Sequence, residues 1–336
     1  MPPVPPATIA LTLLAAALGC AALIVLMLPL LRRYALARPN ARSSHVTPTP
    51  QGAGIAVVLA TLVVAGIAIG QGSALPAPVL ILFVATAGIA LIGAVDDIRP
   101  LGVGLRLAAQ ALAVGAVLWA LPADLRALPV LPLWAERLLL LVAGLWFVNL
   151  VNFMDGLDWM TVAEVVPVTA ALVILGLTGD LSAPAALVAA ALGGAMLGFA
   201  PFNKPVAKVF LGDVGSLPIG LLLGWCLIDL ASHGHLAAAL LLPLYYLADA
   251  TVTLLRRMAK RERFWAAHRS HFYQRATVNG YTVPRVIGEV AMLNAILAFL
   301  AIVAVFVKTP TGGLAMLLLG AAAVGAVLVR FSRPLR

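Results

Sequence analysis

Long apolar runs constrain this chain more than any other feature. They lie at about residues 8–31, 53–70, 78–95, 105–121, 136–153, 160–178, 184–200, 216–232, 236–255, 286–307 and 313–331. Each is near the roughly 20 residues that an α-helix needs to cross a bilayer. Hydrophobic residues make up 63% of the 336 and charged residues only 10%. A soluble domain of this length would have to leave much of that apolar surface in water, so soluble, disordered and fibrous classes are excluded. The runs do not alternate in the manner of barrel strands. The expected fold is all-α, a polytopic helical membrane protein with about eleven transmembrane helices in a single integral membrane domain spanning 1–336. The first run lacks a preceding basic residue and is followed by Arg32 and Arg33, so it reads as a span rather than a cleaved signal. Cys20 and Cys226 sit inside apolar runs and read as small core residues, not as a disulfide or metal pair.

Lysine and arginine set the orientation. Of the 22, 19 fall in alternate loops and at the C-terminus, leaving only Arg126, Arg137 and Lys308 on the other side. The positive-inside rule then puts the N-terminus outside and the C-terminus inside. The cytoplasmic loops are expected at about 32–52, 96–104, 154–159, 201–215 and 256–285. The net charge of +9 is thus an orientation signal, favouring anionic head groups and anionic substrates near the inner face and implying no nucleic-acid partner.

The few acids cluster at that inner boundary. Asp96 and Asp97 close the third run in GAVDDIRPLG. Asn149, Asn152, Asp155 and Asp158 close the fifth in NLVNFMDGLDWM, Asp213 opens the eighth in KVFLGDVGSLPIG, and Asp249 lies near the inner end of the ninth. Each has a bland reading alone: a solvated helix end, an acid favoured by the helix dipole, a turn. Together they place several carboxylates at one depth, where they repel one another unless cations sit among them. His45, Lys204, Lys208, His268, Arg269 and His271 come to the same level. Carboxylates among basic side chains suit Mg²⁺ with a phosphorylated substrate, because Mg²⁺ takes one or two carboxylates and completes its shell with phosphate oxygens. Zinc is poorly served, for no Cys or Glu accompanies the histidines at ligand spacing. Residues 149, 152 and 155 lie one helical turn apart on one face, and Gly156 permits a turn beyond them. The glycines of LGDVGS let backbone N–H groups approach an anion at a helix start. HVTPTPQGAG reads as a rigid turn into the second run.

These segments together resemble the polyprenyl-phosphate N-acetylhexosamine-1-phosphate transferases. HVTPTPQGAG is similar to that family's HxxPTPRxGG, AVDDIRPLG to its Asp-Asp motif, and NLVNFMDGLDWM to NxxNxxDGxDGL. FNKPVAKVFLGDVGSLPIG is similar to FNxxPAxVFxGDxGSxxLG, and AHRSHFYQR to HRxHxxxR. The match runs in order from about residue 38 to 285. Departures are Gln51 for an arginine, Ala53 and Trp159 for glycines, and Phe272 and Tyr273 in the last loop. That loop looks most like the bacterial subgroup that initiates O-antigen or related surface glycans, ahead of the peptidoglycan branch.

The resemblance implies transfer of a sugar-1-phosphate from a UDP-N-acetylhexosamine, or a 6-deoxy form of it, to undecaprenyl phosphate, with release of UMP. It implies Mg²⁺, with Mn²⁺ as a substitute, and an active site on the cytoplasmic face of the bacterial inner membrane. It leaves room for a homodimer. By resemblance Asp213 is the principal metal ligand, Asn152 and Asp155 position metal and diphosphate, and Asp96 and Asp97 orient or deprotonate the lipid phosphate. Asp158, Asn203 and Phe210 match uracil-binding positions, and His45 faces the nucleotide. His268, Arg269 and His271 meet the diphosphate or sugar, and Phe272 with Tyr273 would offer an apolar edge to a 6-deoxy donor or anchor the loop at the membrane surface. Two rival classes fit less well. A transporter would carry charges at the bilayer midplane and an internal repeat, whereas here only Glu164 stands apart from the boundary and no repeat is seen. A CDP-alcohol phosphotransferase would concentrate its aspartates in one short stretch.

The orientation is testable with single cysteines and a membrane-impermeant thiol reagent applied from outside. We expect Asp124→Cys to label in intact cells and Glu262→Cys to label only after permeabilisation; the reverse pattern would turn the acid cluster away from the cytoplasm.

Overall fold

The computed structural model describes residues 3–37, 48–71, 74–262 and 268–335. Among them thirteen helices run in chain order: α1 (Pro6–Tyr34), α2 (Gly54–Gly70), α3 (Ala77–Ile98), α4 (Val103–Ala120), α5 (Leu133–Met154), α6 (Met160–Thr178), α7 (Ala183–Asn203), α8 (Asp213–Ser232), α9 (Leu236–Leu241), α10 (Leu244–Ala259), α11 (Phe272–Val278), α12 (Val283–Val307) and α13 (Pro310–Phe331). Nine are long and apolar enough to cross a membrane, and α2, at 17 residues, is a shorter apolar helix. The ninth apolar run is not one helix. It breaks at Leu242–Pro243 into α9 and α10, because proline lacks the N–H that would continue the ladder. The protein is a polytopic helical membrane protein.

Several helices extend into segments that sequence alone assigns to loops. Asp96 and Asp97 belong to the last turn of α3, Asn203 ends α7, Asp213 begins α8, and α11 lies within the 256–285 loop. Apolar patterning stops at the bilayer edge, but helical hydrogen bonding need not. Two short strands, β1 (Leu36–Ala37) and β2 (Thr49–Pro50), pair antiparallel beside the inner end of α1.

The helix order by burial positions the site. α8 is the most enclosed, with α7 and α6 next, while α1, α3, α4, α5 and α13 present broad apolar faces outward. An all-round apolar helix belongs in the middle of a bundle. α8 packs between α3 and α5, and α7 against α1, α2 and α6. Small residues allow these approaches. A Cβ at Gly194 would come 2.2 Å from the Leu13 carbonyl oxygen of α1, and one at Gly198 would come 2.2 Å from that of Ala17. The two glycines are four residues apart, facing two α1 residues also four apart, which is the close-packing pattern used where lipid removes the hydrophobic drive between helices.

The opposite end of the bundle carries its own polar ties. Glu136, fully buried, accepts from Arg126 and from the Ala127 and Leu128 N–H groups. Asp229 accepts from the Ser182 N–H, and His235 approaches Asp180 at 3.5 Å. None of the residues named for the site lies there. We expect Gly198→Val to lower stability by about 1–3 kcal/mol through overpacking, read as a lower melting temperature in detergent, with Gly19→Val, whose Cβ meets nothing within 4 Å, as the unaffected comparison.

Candidate active site

The site is assembled around the first turn of α8. Gly212 precedes it with φ 78°, and a Cβ there would stand 2.5 Å from an Asp97 oxygen, so this position needs glycine for both conformation and space. Asp97, from the end of α3, accepts the N–H of Asp213 at 2.9 Å and of Val214 at 3.1 Å, and the Gln51 side-chain amide at 2.6 Å. It therefore caps α8 from outside that helix, where a negative charge meets the helix's unsatisfied donors and positive end. The 49–54 segment is laced to the same place. Phe210 N–H donates to the Pro50 carbonyl, and Gly52, Ala53 and Gly54 donate back to the carbonyls of Phe210 and Leu211. Two motifs about 160 residues apart in sequence thus form one backbone unit.

Asp213 faces its neighbours from α8. Asn152 of α5 donates to Asp213 Oδ1 at 2.8 Å and to Ser216 Oγ at 2.9 Å. Asp96 accepts the Leu101 N–H at 2.5 Å and pairs with Arg106 at 2.9 Å, and the same guanidinium lies 4.0 Å from Asp213. Asp155 accepts from Thr161 Oγ1. Desolvation lifts the Asp155 carboxyl to about 7, with the charges of Asp213, Asp97 and Asp158 pushing the same way. Five aspartates, with Asp96 among them, act on one another here, and Arg106, 4.0 Å from Asp213, pairs more closely with Asp96.

Among the described residues no three His, Cys, Asp or Glu side chains form a preassembled metal cage. The donor set is nevertheless all oxygen, its carboxylates repel one another, and Asn152 spends its NH₂ on Asp213 and Ser216. That fits a hard cation bound by one or two carboxylates with waters and phosphate oxygens, and does not fit an all-protein cage.

Asp158 and Asn203 join the turn after α5 to the end of α7. Asp158 accepts the Ala207 N–H at 2.9 Å. Asn203 accepts the Trp159 N–H at 2.8 Å and donates to the Val209 carbonyl at 3.0 Å, so it ties the turn after α5 to the segment after α7. Phe210 is half-buried beside them. Trp159 takes a left-handed conformation, φ 62°, at the place where the motif has glycine. Its indole N–H holds the Ala200 carbonyl at 2.6 Å, offsetting a conformational cost of about 1–3 kcal/mol. Ala53 has φ −61° and needs no glycine.

The last loop is fastened by Asp249 of α10, which is fully buried. It accepts the N–H of Phe272 at 2.9 Å and of Tyr273 at 3.1 Å, and lies 3.2 Å from His271 Nδ1. Tyr273 donates to the Phe153 carbonyl at 3.1 Å, joining α11 to the end of α5. The His271 ring stacks between those of His268 and Tyr273, at 4.9 and 5.8 Å. Ser270 Oγ and N–H both reach His268 Nδ1, at 2.8 and 3.3 Å. Arg269 Nε is buried without a hydrogen-bond partner. Phe272 and Tyr273 are both buried in protein. This corrects the expectation for the pair: they neither offer an edge to a sugar nor sit at the membrane surface. His45 lies outside the described residues.

The structure thus brings together Asp96, Asp97, Asn152, Asp155 and Asp213, links Asp158, Asn203 and Phe210 to them through backbone, and ties His271 to them through Tyr273. Asp97 accepts from the first N–H groups of α8 and from Gln51. Sequence reading missed Arg106, Ser216 and the fastening role of Asp249. The signals were an arginine ten residues after Asp96, a serine three after Asp213, and an acid near the end of the ninth run.

The two members of the Asp-Asp pair separate by experiment. Asp97→Asn presents an NH₂ to a set of donors, so we expect a fall in melting temperature together with loss of activity. Asp96→Asn keeps one acceptor for Leu101 and should lower activity with little thermal shift. Equal thermal shifts would remove the distinction.

Comparisons with known proteins agree with this geometry. Residues 79–231 match the family described as glycosyl transferase family 4. A decaprenyl-phosphate N-acetylglucosaminephosphotransferase of Mycobacterium leprae is 29% identical over 321 residues, covering 85% of this chain and 81% of the relative. One of the same description from Mycobacterium tuberculosis is 33% identical over 212 residues, 57% of this chain and 52% of the relative. A phospho-N-acetylmuramoyl-pentapeptide-transferase of Shouchella clausii is 32% identical over 219 residues, 58% and 66% respectively. The chain thus spans most of the first relative and about half to two thirds of the other two. The family match covers α3 to α8 and the turns that supply Asp96, Asp97, Asn152, Asp155 and Asp213, so this part of the chain is a glycosyl transferase family 4 domain.

Proposed function

We propose that this protein transfers an N-acetylhexosamine-1-phosphate from a UDP-linked donor to undecaprenyl phosphate, releasing UMP, at the cytoplasmic face of the bacterial inner membrane and with Mg²⁺. The observation that carries the reading is the convergence at the start of α8: carboxylates from α3, the end of α5 and α8, joined by Asn152, with one arginine paired to Asp96. The carboxylates outnumber the one paired arginine, and a divalent cation would balance them while meeting the phosphate oxygens of both substrates. The relatives' descriptions support a polyprenyl-phosphate acceptor and an N-acetylhexosamine donor.

In the reaction an oxygen of the lipid phosphate attacks the sugar-linked phosphorus of the donor. The bond from that phosphorus to the bridging oxygen breaks, and UMP leaves with the electron pair. Positioning and charge neutralisation matter more here than covalent chemistry. Bound Mg²⁺, held by Asp213, Asp155 and Asn152, would neutralise the diphosphate. Asp96, fixed by Arg106 and the Leu101 N–H, orients the attacking phosphate. Its work as a base is slight, since a phosphate monoester has a second pKa near 6. Asp97 sets the position of Asp213. His271 Nδ1 lies against Asp249, and His268 accepts at Nδ1 from the Ser270 N–H. With Arg269 they meet the diphosphate or sugar. Asp158 and Phe210 receive the uracil, with Asn203 tying their segments together. Burial of Phe272 and Tyr273 removes the argument for a 6-deoxy donor, and UDP-N-acetylglucosamine takes first place. UDP-N-acetylmuramoyl-pentapeptide is the second donor, supported by the Shouchella clausii relative.

The test is UMP release by the purified protein with undecaprenyl phosphate and a panel of UDP-sugars, with and without Mg²⁺. We expect Mg²⁺-dependent turnover with a UDP-N-acetylhexosamine and a fall of roughly a hundredfold or more in Asp213→Asn. No UMP release with any member of the panel, or near-native turnover by Asp213→Asn at limiting Mg²⁺, would overturn the proposal.

A further inference from the structure

A second basic site lies beside the last loop. α10 ends with Arg256 and Arg257 in its final turn, followed by Lys260, and α11 runs back alongside carrying Arg275. Between them is a cleft of about 290 Å³, lined by these four cations together with Glu262 and Ser270. Glu262 is its one acid, and Arg257 holds that carboxylate at 3.0 Å. Three positive charges remain in excess. The cations range from buried to exposed: Arg256 and Lys260 are exposed and Arg275 is half-buried. Arg257 is buried, and Arg256 and Arg275 both stack on the Phe272 ring, at 5.2 and 5.7 Å from its centroid.

The cleft is separate from the site at α8. Successive residues of a helix point about 100° apart. Tyr273 reaches the end of α5, whereas Arg275, two residues further along α11, lines the cleft. Val252, Leu255 and Met258 are exposed apolar residues of α10 within a turn of Arg256. Cations clustered beside exposed apolar residues of the same helix match a ligand that is anionic at one end and hydrocarbon at the other.

We propose that this cleft binds a phosphate group, either that of an anionic phospholipid headgroup or phosphate free in solution, independently of the donor diphosphate. An Arg or Lys near an anionic membrane surface adds binding that is lost when it is neutralised, and the planar guanidinium groups suit phosphate oxygens in particular.

The test uses the full chain in a zwitterionic detergent, with native mass spectrometry to count bound lipid during titration with phosphatidylglycerol or phosphatidylcholine. We expect one saturable phosphatidylglycerol and no comparable phosphatidylcholine. Arg256→Gln with Lys260→Gln should weaken phosphatidylglycerol retention about tenfold, while Arg256→Lys with Lys260→Arg should retain it. Arg32→Gln with Arg333→Gln removes the same charge elsewhere and should leave it unchanged. Displacement of the lipid by millimolar inorganic phosphate would assign the site to phosphate from either source, and resistance to it would assign the site to the lipid headgroup. Unchanged affinity in the Arg256 and Lys260 double variant, an equal fall in the control pair, or displacement by UMP would overturn the proposal.

Discussion

The carboxylate of Asp97 against the N-terminus of α8 is the contact on which the site depends. The first donors of a helix have no partner within it. Here two of them, at Asp213 and Val214, are taken by a side chain from the end of α3, while Gln51 from the segment before α2 takes the same carboxylate. Hydrogen bonds to a charged group contribute about 1.5–3 kcal/mol each. One anion therefore fixes the depth, rotation and spacing of three segments, and the side chain of Asp213 is placed as a consequence. Gly212 is what allows the approach, since any Cβ would occupy the space of the carboxylate.

The same device appears a second time. Asp249 takes the first N–H groups of α11 and the Nδ1 of His271, and so presents the last loop to the rest of the site. In both places a buried or half-buried acid is spent on a helix end, and a neighbouring residue is thereby left facing inward. This division of labour sorts the aspartates at this end of the bundle into two groups. Asp97 and Asp249 build, while Asp96, Asp155 and Asp213 remain with one another and with Arg106.

Residues legible in the sequence were those whose chemistry conflicts with their surroundings. An Asp-Asp pair, an Asn-Asn-Asp row and a lone Asp at the edge of apolar runs are conspicuous, and their convergence at one end follows once spans and basic loops are counted. What each oxygen touches was not legible. Asp96 and Asp97 are adjacent and chemically identical, yet one meets Arg106 and the other meets a helix end. Asn203 looks like a free amide and is held at both ends by backbone. Phe272 and Tyr273 look like a surface pair and are buried, one beneath two arginines and the other against Phe153.

The sequence by itself determined the solvent, the helical class, the eleven apolar runs and which residues could not be left in hydrocarbon, because these depend on local hydropathy and on the cost of transferring charge out of water. Only the tertiary structure decided that α8 stands at the centre, that Trp159 adopts a glycine's conformation, and which acids hold helices and which face one another. Those outcomes depend on contacts between residues tens to more than a hundred positions apart, and a choice between two neighbouring carboxylates is made by the geometry of their partners, which no local pattern records.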